Sequence, residues 1–161
     1  MSKFFSENWK KINTDPVCFG ARDDSYGAFE IKESGVIYTF KLVYFNGSVS
    51  CAPRFSSYWG CHITSQYKDK TLLTVITFLN RSVLMPADYE KLDYGSGCQY
   101  YSYKIKGVGV NHPELRFNIL SSPIPVSVGQ EFQIWFGADL RDCSENNNSG
   151  QTCADVYAWY A

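Results

Sequence analysis

The side chains best suited to chemistry lie near the C-terminus, in residues 137–155, which read GADLRDCSENNNSGQTCAD. Asp139, Asp142, Glu145, Asn146, Asn148 and Asp155 supply hard oxygen donors there. A calcium ion takes six to eight such oxygens at about 2.4 Å. The spacing does not match an EF-hand, so two readings stand: a calcium site, or a solvated, glycosylated loop built from turn formers. A second candidate is the segment APRFSSYWG between Cys51 and Cys61. Its Arg54, Phe55, Tyr58 and Trp59 suit stacking against a sugar face or a protein surface. The competing reading makes Trp59 an apolar plug at one end of the domain.

Nucleophile–base chemistry has no comparable signature. The chain carries no G-x-S-x-G, H-E-x-x-H, P-loop or G-x-G-x-x-G. Its 2 histidines, His62 and His112, have no evident partner nucleophile. The expectation is a binding protein and not an enzyme. A hydrolase with dispersed carboxylates and a purely structural or oligomer-forming domain are the alternatives. A formal net charge of −1, with Lys10–Lys11 as the longest basic cluster, argues against a nucleic-acid partner. No apolar run reaches the length of a membrane-spanning helix.

The 6 cysteines are Cys18, Cys51, Cys61, Cys98, Cys143 and Cys153. An even number suits full pairing in an oxidising compartment, and the competing reading is buried thiols in a cytosolic protein. Two pairs bracket turn-rich loops, which suggests Cys51–Cys61 and Cys143–Cys153 and leaves Cys18–Cys98 by elimination. No C-x-x-C exists for a zinc ribbon or a redox site. The sequons at Asn46, Asn80 and Asn147 also point to a secreted glycoprotein. The N-terminal MSKFFSENWKK lacks an apolar signal core, so secretion is not written there.

Positioning these residues falls to strands. Aromatic residues make up 17% of the chain, and such residues fit pleated, half-buried surfaces. Alternation predicts strands over 28–32, 36–45, 100–105, 115–119, 131–136 and 154–160. Asn46-Gly47 signals a hairpin that would send 49–51 back along 43–45. TLLTVITF, 71–78, is apolar nearly throughout and rich in β-branched residues, as a central strand is. Residues 84–91 could supply one short helix. A chain of 161 residues can bury a real core. The expected fold is all-β: a single antiparallel sandwich, jelly-roll-like, over 17–161, after a polar lead-in over 1–16.

Several stretches resemble an extracellular cnidarian module found in coral skeletal organic matrix proteins and in secreted sea anemone proteins. They are Cys18-Phe-Gly-Ala21 with Gly27-Ala-Phe29, Phe40-Lys-Leu-Val43, Tyr58-Trp-Gly-Cys61, Gly129-Gln-Glu-Phe-Gln-Ile-Trp135, and Gly137-Ala-Asp-Leu140 leading to Cys153-Ala-Asp-Val-Tyr157. The resemblance implies an extracellular setting and carries over no ligand or catalytic residue. Together with the residues, the expectation is a recognition or adhesion module of matrix type, with a calcium-dependent form and a lectin-like form as its variants. Its partners would be a glycan or an extracellular protein.

Overall fold

A computed structural model describes residues 7–52, 55–61, 71–87, 90–93, 99–141 and 146–161. In chain order the strands begin β1 (Trp9–Lys11), β2 (Val17–Gly20), β3 (Gly27–Glu30), β4 (Gly35–Ala52) and β5 (Phe55–Ser57). Next come β6 (Gly60–Cys61), β7 (Thr71–Leu72), β8 (Thr74–Thr77), β9 (Val83–Met85) and β10 (Glu90–Asp93). The last are β11 (Gln99–Ser102), β12 (Glu114–Arg116), β13 (Ile124–Val126), β14 (Glu131–Phe136) and β15 (Ser149–Tyr160). A single helical turn, α1 (Gly137–Leu140), follows β14. Every strand pairing is antiparallel, and the all-β sandwich read from the sequence is the fold observed.

The larger sheet is built on β4 and β15, which pair along almost their whole length. Strands β1 and β2 share the other edge of β15, and β5, β12 and β13 share the other edge of β4. The smaller sheet runs β3-β14-β8-β9. Of the TLLTVITF segment only β8 is central, wholly buried between β14 and β9; Thr71–Leu72 form β7, which pairs with β6 in a separate two-stranded sheet. Phe29 and Phe132 from the smaller sheet meet Phe40 from the larger one, with all three ring centroids within 5.8 Å of each other. These rings fill the space between the sheets with low-entropy apolar area.

Three sequence expectations are corrected here. Asn46-Gly47 does not turn the chain; β4 continues through it. Cys153 pairs with Asn46 and Ala154 with Tyr44, so Phe45 is an extra residue in a β-bulge. Gly47 has φ +85°, and a Cβ there would sit 2.2 Å from the Gln151 carbonyl oxygen. A bulge needs that backbone as much as a type I′ turn does, which is why the dipeptide misleads. Secondly, the lead-in is not separate from the sandwich: β1 pairs with β15, and Ile12 is buried in the core. Thirdly, residues 84–91 hold parts of β9 and β10 and no helix among the described residues.

The disulfides also differ. Cys51–Cys61 is present as expected, but Cys18 pairs with Cys153. That bridge rules out both Cys143–Cys153 and Cys18–Cys98; Cys98 and Cys143 lie outside the described residues. The physical reason is register: β2 and β15 are neighbours, and their pairing sets Cys18 directly opposite Cys153.

Behind β8 the Tyr103 phenol is enclosed and donates to the Thr74 carbonyl. Burial raises its pKa well above the ordinary value of about 10. The unfolded chain loses this proton near that value, while the folded chain holds it. The stabilisation is therefore complete below about pH 10 and is lost as pH rises toward the folded pKa. Urea unfolding between pH 8 and 11.5 should show stability falling above pH 10. Tyr103→Phe should flatten that fall while costing about 1 kcal/mol at pH 8 for the lost hydrogen bond.

Candidate functional site

The connection from β2 to β3, residues 21–26, folds back tightly on itself. The Gly20 N–H donates to the Ser25 carbonyl at 2.7 Å, and the Ser25 hydroxyl donates to the Arg22 carbonyl at 2.6 Å. Asp23 and Asp24 have φ of 65° and 54°, both left-handed. Asp tolerates this region better than most residues, yet two in succession need outside support. Gly20 is required for the closure, because a Cβ there would lie 2.7 Å from that of Ser25.

The support comes from the far end of the chain. Asp139, in α1, is completely buried. Its Oδ1 accepts the Asp24 N–H at 2.9 Å and its Oδ2 the Ser25 N–H at 2.8 Å. Hydrogen bonds to an ionised acceptor are roughly twice as strong as neutral ones. Two further contacts tie the segments together. Asn148 Nδ2 donates to the Ala21 carbonyl at 3.2 Å, and the Arg22 guanidinium donates to the Asn146 carbonyl at 3.1 Å. Asn148 is 2% exposed, and its Oδ1 has no hydrogen-bond partner among the described residues. Such an orphaned oxygen is costly unless something fills the role.

Between the two segments lies a polar hollow of about 240 Å³, walled by Arg22, Asp23, Ser25, Ser149 and Gln151. Tyr26 follows Ser25 in the chain, is 42% exposed, and stacks on Trp135 with centroids 4.9 Å apart. Arg81, itself at φ 68°, places its guanidinium 4.8 Å from the Trp135 ring and 4.0 Å from the Asp24 carboxylate. The hollow thus offers charged donors and acceptors on a tightly closed backbone, and Tyr26 and Arg81 do not line it.

The residues singled out from sequence distribute unevenly. Asn146 and Asn148 belong to this site, and Asp139 holds it together. Each Asp139 oxygen accepts one backbone N–H group, so a metal bound there would share the carboxylate with this clamp. Asp155 faces Asn13 at 2.8 Å and Lys11 at 3.7 Å, sharing no partner with Asp139. Asp142, Glu145 and Arg54 lie outside the described residues. Among the described residues no cluster of three His, Cys, Asp or Glu could hold a metal. Trp59 is fully buried and donates from Nε1 to the His112 carbonyl at 2.7 Å, so it is the plug and not a stacking platform. Tyr58 is half-buried with its ring against Tyr44, centroids 3.6 Å apart. Phe55 is half-buried in β5.

Residues 21–26 were not legible as a site in the sequence. The available signal was Arg-Asp-Asp-Ser between Gly20 and Gly27, a run of turn formers that includes two residues tolerant of positive φ.

No protein-family model matches the chain, and no curated protein does. A solved structure similar to it is AJLec, a lectin from the sea anemone Anthopleura japonica. The likeness has a TM-score of 0.85 and 27% sequence identity, over 96% of this chain and 98% of that one. The fold is thus similar to that of a sea anemone protein, which agrees with the cnidarian resemblance; the two disulfides among the described residues fit an oxidising compartment.

Proposed function

We propose that this chain is an extracellular carbohydrate-binding module whose hollow between residues 20–25 and 149–151 takes a single sugar residue. The observation that carries the proposal is the likeness to a lectin over nearly the whole chain. The hollow adds chemical support. It is smaller than the roughly 300–1,000 Å³ of sites for drug-sized ligands, which favours one ring over an extended chain. Arg22, Asp23, Ser25 and Gln151 bring donors and acceptors for vicinal hydroxyls. The adhesive, matrix-type role follows from the same recognition if the glycan belongs to a neighbouring cell or matrix polymer.

A glycan array followed by calorimetry on the tightest ligand tests this. Arg22→Ala and Gln151→Ala should each weaken binding about tenfold, the loss of roughly 1.4 kcal/mol. Melting should move little, since both side chains are exposed. An array without a ligand, or a double variant binding as tightly as the parent, removes the proposal.

Calcium dependence is a second reading, favoured by the buried Asn148 Oδ1, which has no partner among the described residues. Asn148, Asn146, Asp142 and Glu145 would hold the ion, which would in turn polarise sugar hydroxyls. In this reading Asp139 serves the clamp, and Asp155 faces Asn13 and Lys11. Titration with millimolar calcium should release or absorb heat, and Asn148→Ala should abolish the signal. A flat titration of metal-free protein rejects the calcium reading and leaves the sugar site standing.

A further inference from the structure

Beyond its sugar site, the molecule carries a second feature for which the proposed function gives no account. The turn between β8 and β9 exposes Leu79 to 58%, and Val128 in the facing connection is 64% exposed. Beside Leu79 opens a hollow of about 500 Å³ with a largely apolar surface, walled by Phe78, Leu79, Asn80, Gly129, Gln130 and Glu131. Asn80 heads the sequon Asn80-Arg81-Ser82. We infer that Asn80 is the N-glycosylated residue of this chain and that the first sugar of its glycan covers this hollow.

Exposure does not distinguish the three sequons, because Asn46, Asn80 and Asn147 are all exposed. Local geometry does. The Asn80 Oδ1 accepts both the Ser82 N–H at 3.0 Å and the Ser82 hydroxyl at 2.6 Å. This Asx turn sets the sequon hydroxyl on the amide and leaves Nδ2 without a partner among the described residues. The contact spans two residues, so it can form in a chain that has not yet folded. Phe78 N–H to Ser82 O and Arg81 N–H to Phe78 O, each 3.0 Å, then close the turn. Asn46, by contrast, sits in a paired bulge of β4, and Asn147 lies beside the sugar site, where a glycan would crowd the hollow.

In the transfer, the Asn80 amide nitrogen forms a bond to the anomeric carbon of a lipid-pyrophosphate-linked oligosaccharide. The carbon–oxygen bond to the pyrophosphate breaks, the lipid pyrophosphate leaves, and the nitrogen gives up one of its two protons. The attached N-acetylhexosamine begins at the wall of the hollow. Its apolar ring face and acetyl group can remove Leu79 and Phe78 from water.

The test is expression of the full chain behind a secretory signal in a eukaryotic host, which supplies the donor regardless of the natural precursor's route. Glycopeptide mass spectrometry should find Asn80 modified in most molecules. Trimming to one sugar should leave the melting temperature unchanged. The unglycosylated Ser82→Ala and Asn80→Gln variants should melt about 2–4 °C lower, the shift that roughly 1 kcal/mol produces at this chain length. Leu79→Ser should remove that difference in glycosylated protein while leaving the unglycosylated protein unchanged. An unmodified Asn80 overturns the inference, and so does a modified Asn80 whose glycan leaves melting unaltered in both backgrounds.

Discussion

Asp139→Ala should destabilise the protein by about 3–5 kcal/mol and abolish glycan binding. The carboxylate is fully buried and accepts two backbone N–H groups. Alanine leaves both donors without partners, at about 1–3 kcal/mol each. It also releases Asp23 and Asp24 from left-handed conformations that cost roughly 1–2 kcal/mol apiece. That released strain would relax the loop away from the shape that walls the hollow. Asp139→Asn keeps one acceptor oxygen and turns a donor toward the other N–H, so it should lose less stability while still losing most of the affinity. Urea unfolding with calorimetry measures both effects. An alanine variant within 1 kcal/mol of the parent and with parental affinity would show that the clamp is not what shapes the site.

The second large effect belongs to the bridge between β2 and β15. Removing it with Cys18→Ser and Cys153→Ser should cost about 5 kcal/mol, because it closes a loop with a sequence separation of 135 residues. Removing Cys51–Cys61, with a separation of 10, should cost about 3 kcal/mol on the same chain-entropy argument. The ordering carries the test: thermal melts should fall further for the Cys18–Cys153 pair. The bridge also pins the strand that leads into residues 21–26, so glycan affinity should drop in that variant and not in the other. Equal melting losses, or affinity unchanged in both, would mean that strand pairing alone positions the loop.

These two predictions concern contacts that no sequence window contains. Asp139 is separated from Asp24 and Ser25 by more than a hundred residues, and its acidity in a polar stretch looked like that of a metal ligand. Burial gave it another role: each of its oxygens holds a backbone N–H group of the β2–β3 connection. Asp155 looked equivalent in composition, but strand alternation gave it Asn13 and Lys11 as neighbours instead. Cys143 stood closer to Cys153 in sequence than Cys18 did, yet sheet register brought Cys18 opposite it. In a sheet, adjacency is decided by which strands pair, and distance along the chain carries little information about that.

What the chain determined by itself is its class and its layers. Alternating apolar residues, β-branched runs and turn formers specified strands, a central strand within TLLTVITF and an aromatic core, because these depend on side-chain periodicity over a few residues. The tertiary structure alone decided which cysteines meet, whether Asn46-Gly47 turns or bulges, and that Trp59 lies inside. It also decided that Arg22, Asp23 and Ser25 wall one hollow with Ser149 and Gln151. Those outcomes depend on long-range pairing and on where water is excluded, quantities that exist only once the sheets have closed on each other.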